Sequence, residues 1–223
     1  MSQPVGIITL SIVLGVGRVN CYLLHAGPGF VLIDTGSPRA RRALDKKLAG
    51  LGCAPGQLSL IVLTHGDFDH TGSAAYLRDA FGSRIAMHPD DARAGEDGDM
   101  FAGREKSSCI LGAAVPRLIG FGEPEHFTPD VLLGDGDTLS GYGLDATVLR
   151  IPGHSQGSLG ILTADGHLFC GDLLDSTRRP ALTSLIDDRD AAERSVAKLG
   201  TLPISMVFPG HGKPFPMERL ALR

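Results

Sequence analysis

The chain lacks what marks several large classes of protein. It has no basic excess: 21 Lys and Arg stand against 25 Asp and Glu, a net charge of −4. A nucleic acid or an anionic membrane surface would find nothing to hold. No stretch approaches the roughly 20 apolar residues that a membrane helix needs. The N-terminus carries no basic segment of the signal-peptide type. The expectation is a cytoplasmic protein with a small-molecule substrate, without nucleic-acid or membrane partners, and with a homodimer left open. Cys21, Cys53, Cys109 and Cys170 are scattered and form no Cys-x-x-Cys pair. Buried free thiols in a reducing compartment are the reading. No internal repeat or low-complexity segment stands out, and no Gly-x-Ser-x-Gly nucleophile elbow is expected in the chain.

What is present is an ordinary globular composition, 43% hydrophobic and 21% charged over 223 residues. The length favours one domain, 1–223, able to bury roughly 70–75% of its unfolded surface without a covalent staple. Val5–Leu14, Val19–His25 and Phe30–Ile33 read as strands, rich in β-branched residues and separated by glycine-bearing turns. Ser37-Pro38 reads as a helix start, with the helix stopping at Gly52. A second helix is expected from about Ser73 to Phe81, then a short strand over Arg84–His88. Residues 92–129 change character: polar and glycine-bearing first, then apolar over Cys109–Phe121 around Pro116. A helical insertion is expected there, of the kind that often lines a substrate site. Gly134-Asp-Gly-Asp137 reads as a hairpin turn. Asp187–Leu199 reads as a helix, acidic early and basic late.

The chain is organised around Leu60-Ile-Val-Leu-Thr-His-Gly-Asp-Phe-Asp-His-Thr-Gly72. An apolar run ends in four potential metal ligands within six residues: His65, Asp67, Asp69 and His70. Burying unpaired carboxylates is costly, and a divalent cation is a common way to offset it. His65 and Asp67 are two apart and point the same way in extended chain. Three later strand-like runs end the same way, Val148–Ile151 before His154, Leu168–Cys170 before Asp172, and Ser205–Phe208 before His211. Seven ligands exceed what one tetrahedral zinc takes and suit two metals.

These residues resemble the metallo-β-lactamase superfamily. The matching pieces are Asp34-Thr-Gly36, the Thr64–Gly72 motif, Pro152-Gly-His-Ser155, Gly171-Asp172 and Pro209-Gly-His-Gly212, in the family's order. The resemblance implies an α/β (α+β) fold, a four-layer αββα sandwich of two facing sheets with helices outside. It implies one metal on His65, Asp67 and His154, and another on Asp69, His70 and His211. Asp172 would bridge the two, and Asp34 would brace the ligand loop without touching a metal. The chain departs from the family at Asp67, where the usual His-x-His-x-Asp-His has a second histidine. A carboxylate is harder than imidazole and moves preference from zinc towards iron or manganese. The flavodiiron branch carries a glutamate in that slot.

A metal-dependent hydrolase is therefore the expected function. Two divalent cations, zinc first and iron or manganese in view of Asp67, would activate water against an ester-like bond of a lactone, a thioester or a related small substrate. Asp69 would orient the nucleophile and take its proton. Two alternatives remain: an iron redox protein acting on oxygen, nitric oxide or a persulfide, and a non-enzymatic scaffold with Cys109–Phe121 as its contact. With only a short stretch after His211, neither a fused flavodoxin domain nor the glutathione-holding helical domain of glyoxalase II enzymes is expected.

Overall fold

The computed structural model describes residues 4–13, 16–98 and 125–220. Six strands form the first sheet in sequence order: β1 (Pro4–Val13), β2 (Val16–Ala26), β3 (Gly29–Ile33), β4 (Leu58–Val62), β5 (Arg84–Met87) and β6 (Val131–Leu132). β1 to β3 pair antiparallel, and β3 to β6 pair parallel. Next come β7 (Ala146–Arg150), β8 (Leu159–Thr163) and β9 (His167–Phe169), then β10 (Leu174–Asp175) and β11 (Ala181–Leu182), which pair only with each other. With β12 (Met206–Phe208) and β13 (Phe215–Pro216), the second sheet has the order β13-β12-β9-β8-β7. Within it β9 and β12 are parallel.

Strand alternation builds the layers. In β4, Leu60 and Val62 join Tyr22, Val31 and Ile33 in a core shared with Val148, Ile161, Phe169 and Phe208 of the second sheet. Ile61 and Leu63 point the other way. The helices between the strands of the first sheet are α1 (Arg41–Gly50), α2 (Phe68–Thr71), α3 (Ala74–Phe81) and α4 (Pro89–Asp97), and Ile61 and Leu63 pack with α1 and α3. Leu44 and Leu48 of α1 and Leu77 and Phe81 of α3 share that outer core. On the far side, Leu168, Cys170 and Val207 pack against Ala192 and Leu199 of α5 (Arg189–Leu199). The result is the expected αββα sandwich. Each fully buried Leu, Ile or Val contributes about 1.5–3 kcal/mol.

Local boundaries follow from capping chemistry. α3 ends at Gly82 in the left-handed conformation, φ 67°. α5 starts at Asp188, whose side chain accepts from the Ala191 N–H. The Ser37-Pro38 start differs from expectation: Pro38–Ala40 is a 3₁₀ turn, the α-helix begins at Arg41, and Ser37 makes no side-chain cap. Gly134–Asp137 is a turn but not a hairpin. Val131–Leu132 before it belongs to the first sheet, whereas Thr138 after it bridges to Thr147 in the second. Gly136, at φ 86°, supplies the left-handed step, and Asp137 accepts the Gly134 N–H. The segment thus crosses between sheets. Of the expected insertion over 92–129, α4 runs to Asp97, while residues 99–124, including Cys109–Phe121, lie outside the described residues. No helix among the described residues is long and apolar enough to cross a membrane.

Candidate metal centre

Strand β4 delivers the first ligand loop and the second sheet delivers the rest. Beyond Val62 the chain bends through Thr64, His65 and Gly66 to Asp67 (φ −71°, ψ 141°), which precedes the short helix α2. The first turn of α2 carries Asp69 and His70, both buried. His154 follows β7, Asp172 follows β9 and His211 follows β12. All seven sequence-selected residues come together at one rim of the sandwich. The candidate ligand atoms of His65, His154 and Asp172 lie within 4.8 Å of one another, as do those of Asp69, His70 and His211. Asp67 Oδ2 stands 3.1 Å from His154 Nε2 and 3.8 Å from His65 Nε2. Asp172 faces both groups, with Oδ1 3.3 Å from His70 Nε2 and Oδ2 3.1 Å from His211 Nε2.

The outward nitrogens of the four imidazoles are all held. His70 Nδ1–H donates to Asp34 Oδ2 at 2.8 Å, His154 Nδ1–H to the Leu185 carbonyl at 2.6 Å and His211 Nδ1–H to the Arg18 carbonyl at 2.6 Å. His65 Nδ1–H reaches Thr64 Oγ1 at 2.9 Å, and that hydroxyl donates to Asp34 Oδ2 at 2.9 Å. These partners fix each tautomer with Nε2 turned inward. Asp34 also accepts the Thr64 N–H at 2.9 Å. It is the non-glycine residue with positive φ (60°) among the described residues, a conformation Asp tolerates better than most.

The electrostatics follow from this crowding. Burial, reinforced by the His70 and His154 imidazoles, holds His65 well below the ordinary histidine range. Burial pulls His70 the same way, but Asp172, Asp34 and Asp69 outweigh it and lift His70 well above that range. Against its own burial, His154 is raised to about 9 by Asp67. Burial pushes Asp172 up, yet His70 and His211 win and hold it well below the usual carboxylate range. His65 Nε2, His70 Nε2 and Asp172 Oδ1 are buried without a hydrogen-bond partner. Orphaned polar atoms of this kind are costly unless a ligand satisfies them, and a cation fits a set made of imidazole nitrogens and carboxylate oxygens.

Several supporting residues were invisible in the pattern. Asn20 Nδ2 donates to the Pro209 and Gly212 carbonyls, and Tyr22 Oη donates to the Pro209 carbonyl at 2.6 Å, so β2 docks the loop that carries His211. Asp91 carries no signal of its own in the sequence pattern. The expectation that the chain has no Gly-x-Ser-x-Gly is wrong as to sequence, since Gly153-His-Ser-Gln-Gly157 spells it. It lies in a loop between two strands rather than at a strand-to-helix turn, and the Ser155 hydroxyl is buried and donates to Asp91 at 2.6 Å. The histidines outside the cluster have other work. His88 caps α4, His25 stacks on Phe30, His126 contacts the Glu96 carbonyl and His167 packs on Phe208.

An αββα sandwich with imidazoles and carboxylates gathered at one rim defines a candidate metalloprotein class. The match to the family model "Metallo-beta-lactamase superfamily" over residues 14–211 is specific, and the chain belongs to that superfamily. Among its relatives, human "Metallo-beta-lactamase domain-containing protein 1" is 29% identical over 213 residues, covering 93% of this chain and 67% of the relative. Human "Acyl-coenzyme A thioesterase MBLAC2" is 30% identical over 222 residues, covering 91% and 76%. A solved structure of TTHA1623 in a di-iron-bound form superposes with a TM-score of 0.71 at 29% identity, covering 93% of this chain and 94% of that one.

Proposed function

We propose that the protein is a metal-dependent hydrolase of ester-like acyl bonds, with thioesters as its first substrate class. The cluster carries this reading: seven imidazole and carboxylate groups converge, and His65 Nε2, His70 Nε2 and Asp172 Oδ1 are buried without a hydrogen bond of ordinary geometry, the last two facing each other at 3.3 Å. One divalent cation would sit on His65, Asp67 and His154, another on Asp69, His70 and His211, with Asp172 shared. Zinc is the first choice, and Asp67, harder than imidazole, favours iron or manganese more than the usual histidine would. Bound there, such cations supply Lewis acidity, bringing the pKa of water to about 7 and polarising an acyl oxygen. The chain's own groups do the rest. The Nδ1 hydrogen bonds hold the imidazoles in place, so little reorganisation is needed. Asp69, 3.5 Å from His211 Nε2, orients the attacking water and accepts its proton. A C–O bond forms, the C–S bond breaks, and the proton passes to the departing thiolate. The similarity to an acyl-coenzyme A thioesterase supports a thioester over a lactone or β-lactam.

The test is a panel of acyl thioesters, lactones, β-lactams and phosphodiesters, run on metal-replete and chelator-treated protein. Metal-dependent thioester hydrolysis is expected. Failure of the metal-replete protein on every substrate overturns the reading.

A second reading, iron redox chemistry, draws on Asp67 and on the similarity to a protein solved in a di-iron form. Iron in the purified protein, with an optical change on reduction, would support it. Stoichiometric zinc with full hydrolytic activity would exclude it.

A further inference from the structure

We propose that Asp91 is a positioning residue that sets the spacing of His65, Asp67 and His154, one half of the metal centre. The inference rests on the metal-hydrolase reading above. Asp91 lies in the first turn of α4, is 7% exposed and belongs to neither ligand group. Its carboxylate accepts three hydrogen bonds from two loops. The Gly66 N–H donates to Oδ2 at 3.0 Å, the Ser155 hydroxyl to Oδ2 at 2.6 Å and the Gly157 N–H to Oδ1 at 2.9 Å. Gly66 separates His65 from Asp67, and Ser155 follows His154. One anion therefore ties the loop from the first sheet to the loop from the second, at the residues adjoining all three ligands.

The fit is steric as well as polar. A Cβ at Gly66 would stand 2.6 Å from Ala94 Cβ, and one at Gly157 would stand 2.6 Å from Asp91 Cγ. Helix α4 thus presses on both loops at a distance that glycine permits. Hydrogen bonds to an anion are roughly twice as strong as neutral ones. The other half of the centre has supports that do not pass through Asp91: Asp34, which braces His70 directly and His65 through Thr64, and Arg18 and Asn20 of β2 behind His211 and its loop. Loosening Asp91 should therefore weaken one cation site and spare the other.

The experiment loads the protein with zinc and follows its release to a competing chelator, alongside zinc content after gel filtration. In Asp91→Asn the shape is kept, but an amide N–H must face one of the three donors. One of the two zinc ions is expected to bind about 10–100-fold more weakly, as for other groups that orient metal ligands, while the second is unchanged. Ser155→Ala removes one donor and should weaken the same site less. It carries the test by the same criterion if Asp91→Asn does not fold. A general loss of packing would lower the melting temperature without changing the ratio of the two affinities. Two sites of unchanged affinity, or equal weakening of both, overturn the role of Asp91 and leave the metal reading intact. Unmutated protein that takes up neither zinc, iron nor manganese overturns both.

Discussion

Replacing Gly210 by alanine adds a single methyl group at the floor of the centre. Gly210 does not need a positive φ, so its conformation accepts alanine. Its backbone is pinned on both sides: the N–H donates to the Gly171 carbonyl and the carbonyl accepts from the Asn20 N–H, each at 2.8 Å. The new Cβ would fall 2.2 Å from Asp172 Oδ1 and 2.6 Å from His70 Cε1, where ordinary contact begins at 3.4 Å. With the main chain held, the carboxylate must give way by about 1 Å, a displacement that costs roughly 100-fold in rate when it falls on a positioned reacting group. Overpacking adds about 1–3 kcal/mol of destabilisation, or roughly 2–12 °C in melting temperature for a chain of this size. Zinc content, kcat/KM on an acyl thioester and thermal unfolding should all fall together in Gly210→Ala. Gly50→Ala makes the same chemical change at the end of α1 with no atom within 4 Å, and should leave activity untouched. Its helix should gain up to about 1 kcal/mol. A Gly210→Ala protein with unchanged metal content and activity would refute the geometry argued for Asp172.

Asp34→Asn keeps a residue that tolerates the left-handed backbone but removes the charged acceptor of His70 Nδ1–H. Cation affinity should fall about 10–100-fold in chelator competition, and an unchanged value would count against its bracing role. Asp67→His should raise the zinc-to-iron ratio of protein purified without added metal. Identical metal content in Asp67→His and Asp67→Ala would show that Asp67 is not a ligand. Chelation should lower the melting temperature, because a cation present at 100 times its dissociation constant stabilises the folded state by about 2.7 kcal/mol. Unfolding curves that coincide with and without chelator would contradict this.

The strands were legible where alternation and burial agree. β3 and β4 bury both faces, so their apolar runs stand out, and each ends where a ligand loop or a turn begins. β8 was not read because Leu159–Thr163 follows directly from the His154 loop, with no break except the glycines the loop itself needs. The crossing at Gly134–Asp137 was mistaken for a hairpin because its turn chemistry is local, while the choice of sheet for each flank is tertiary. In the site, the seven residues that cluster were legible from their type and spacing. Their supports were not. Asp91 looks like any acidic residue near a helix start, and the carbonyls of Leu185 and Arg18 that hold His154 and His211 have no side-chain signature at all.

The separation of the ligands along the chain has a consequence during synthesis. His70 and His211 are 141 residues apart (211 − 70). At ribosomal speeds of about 5–20 residues per second, the first of them waits roughly 7–28 s for the second. Over that interval a nascent polypeptide can offer Asp69 and His70 but not the complete set, so cation capture becomes a late event in maturation.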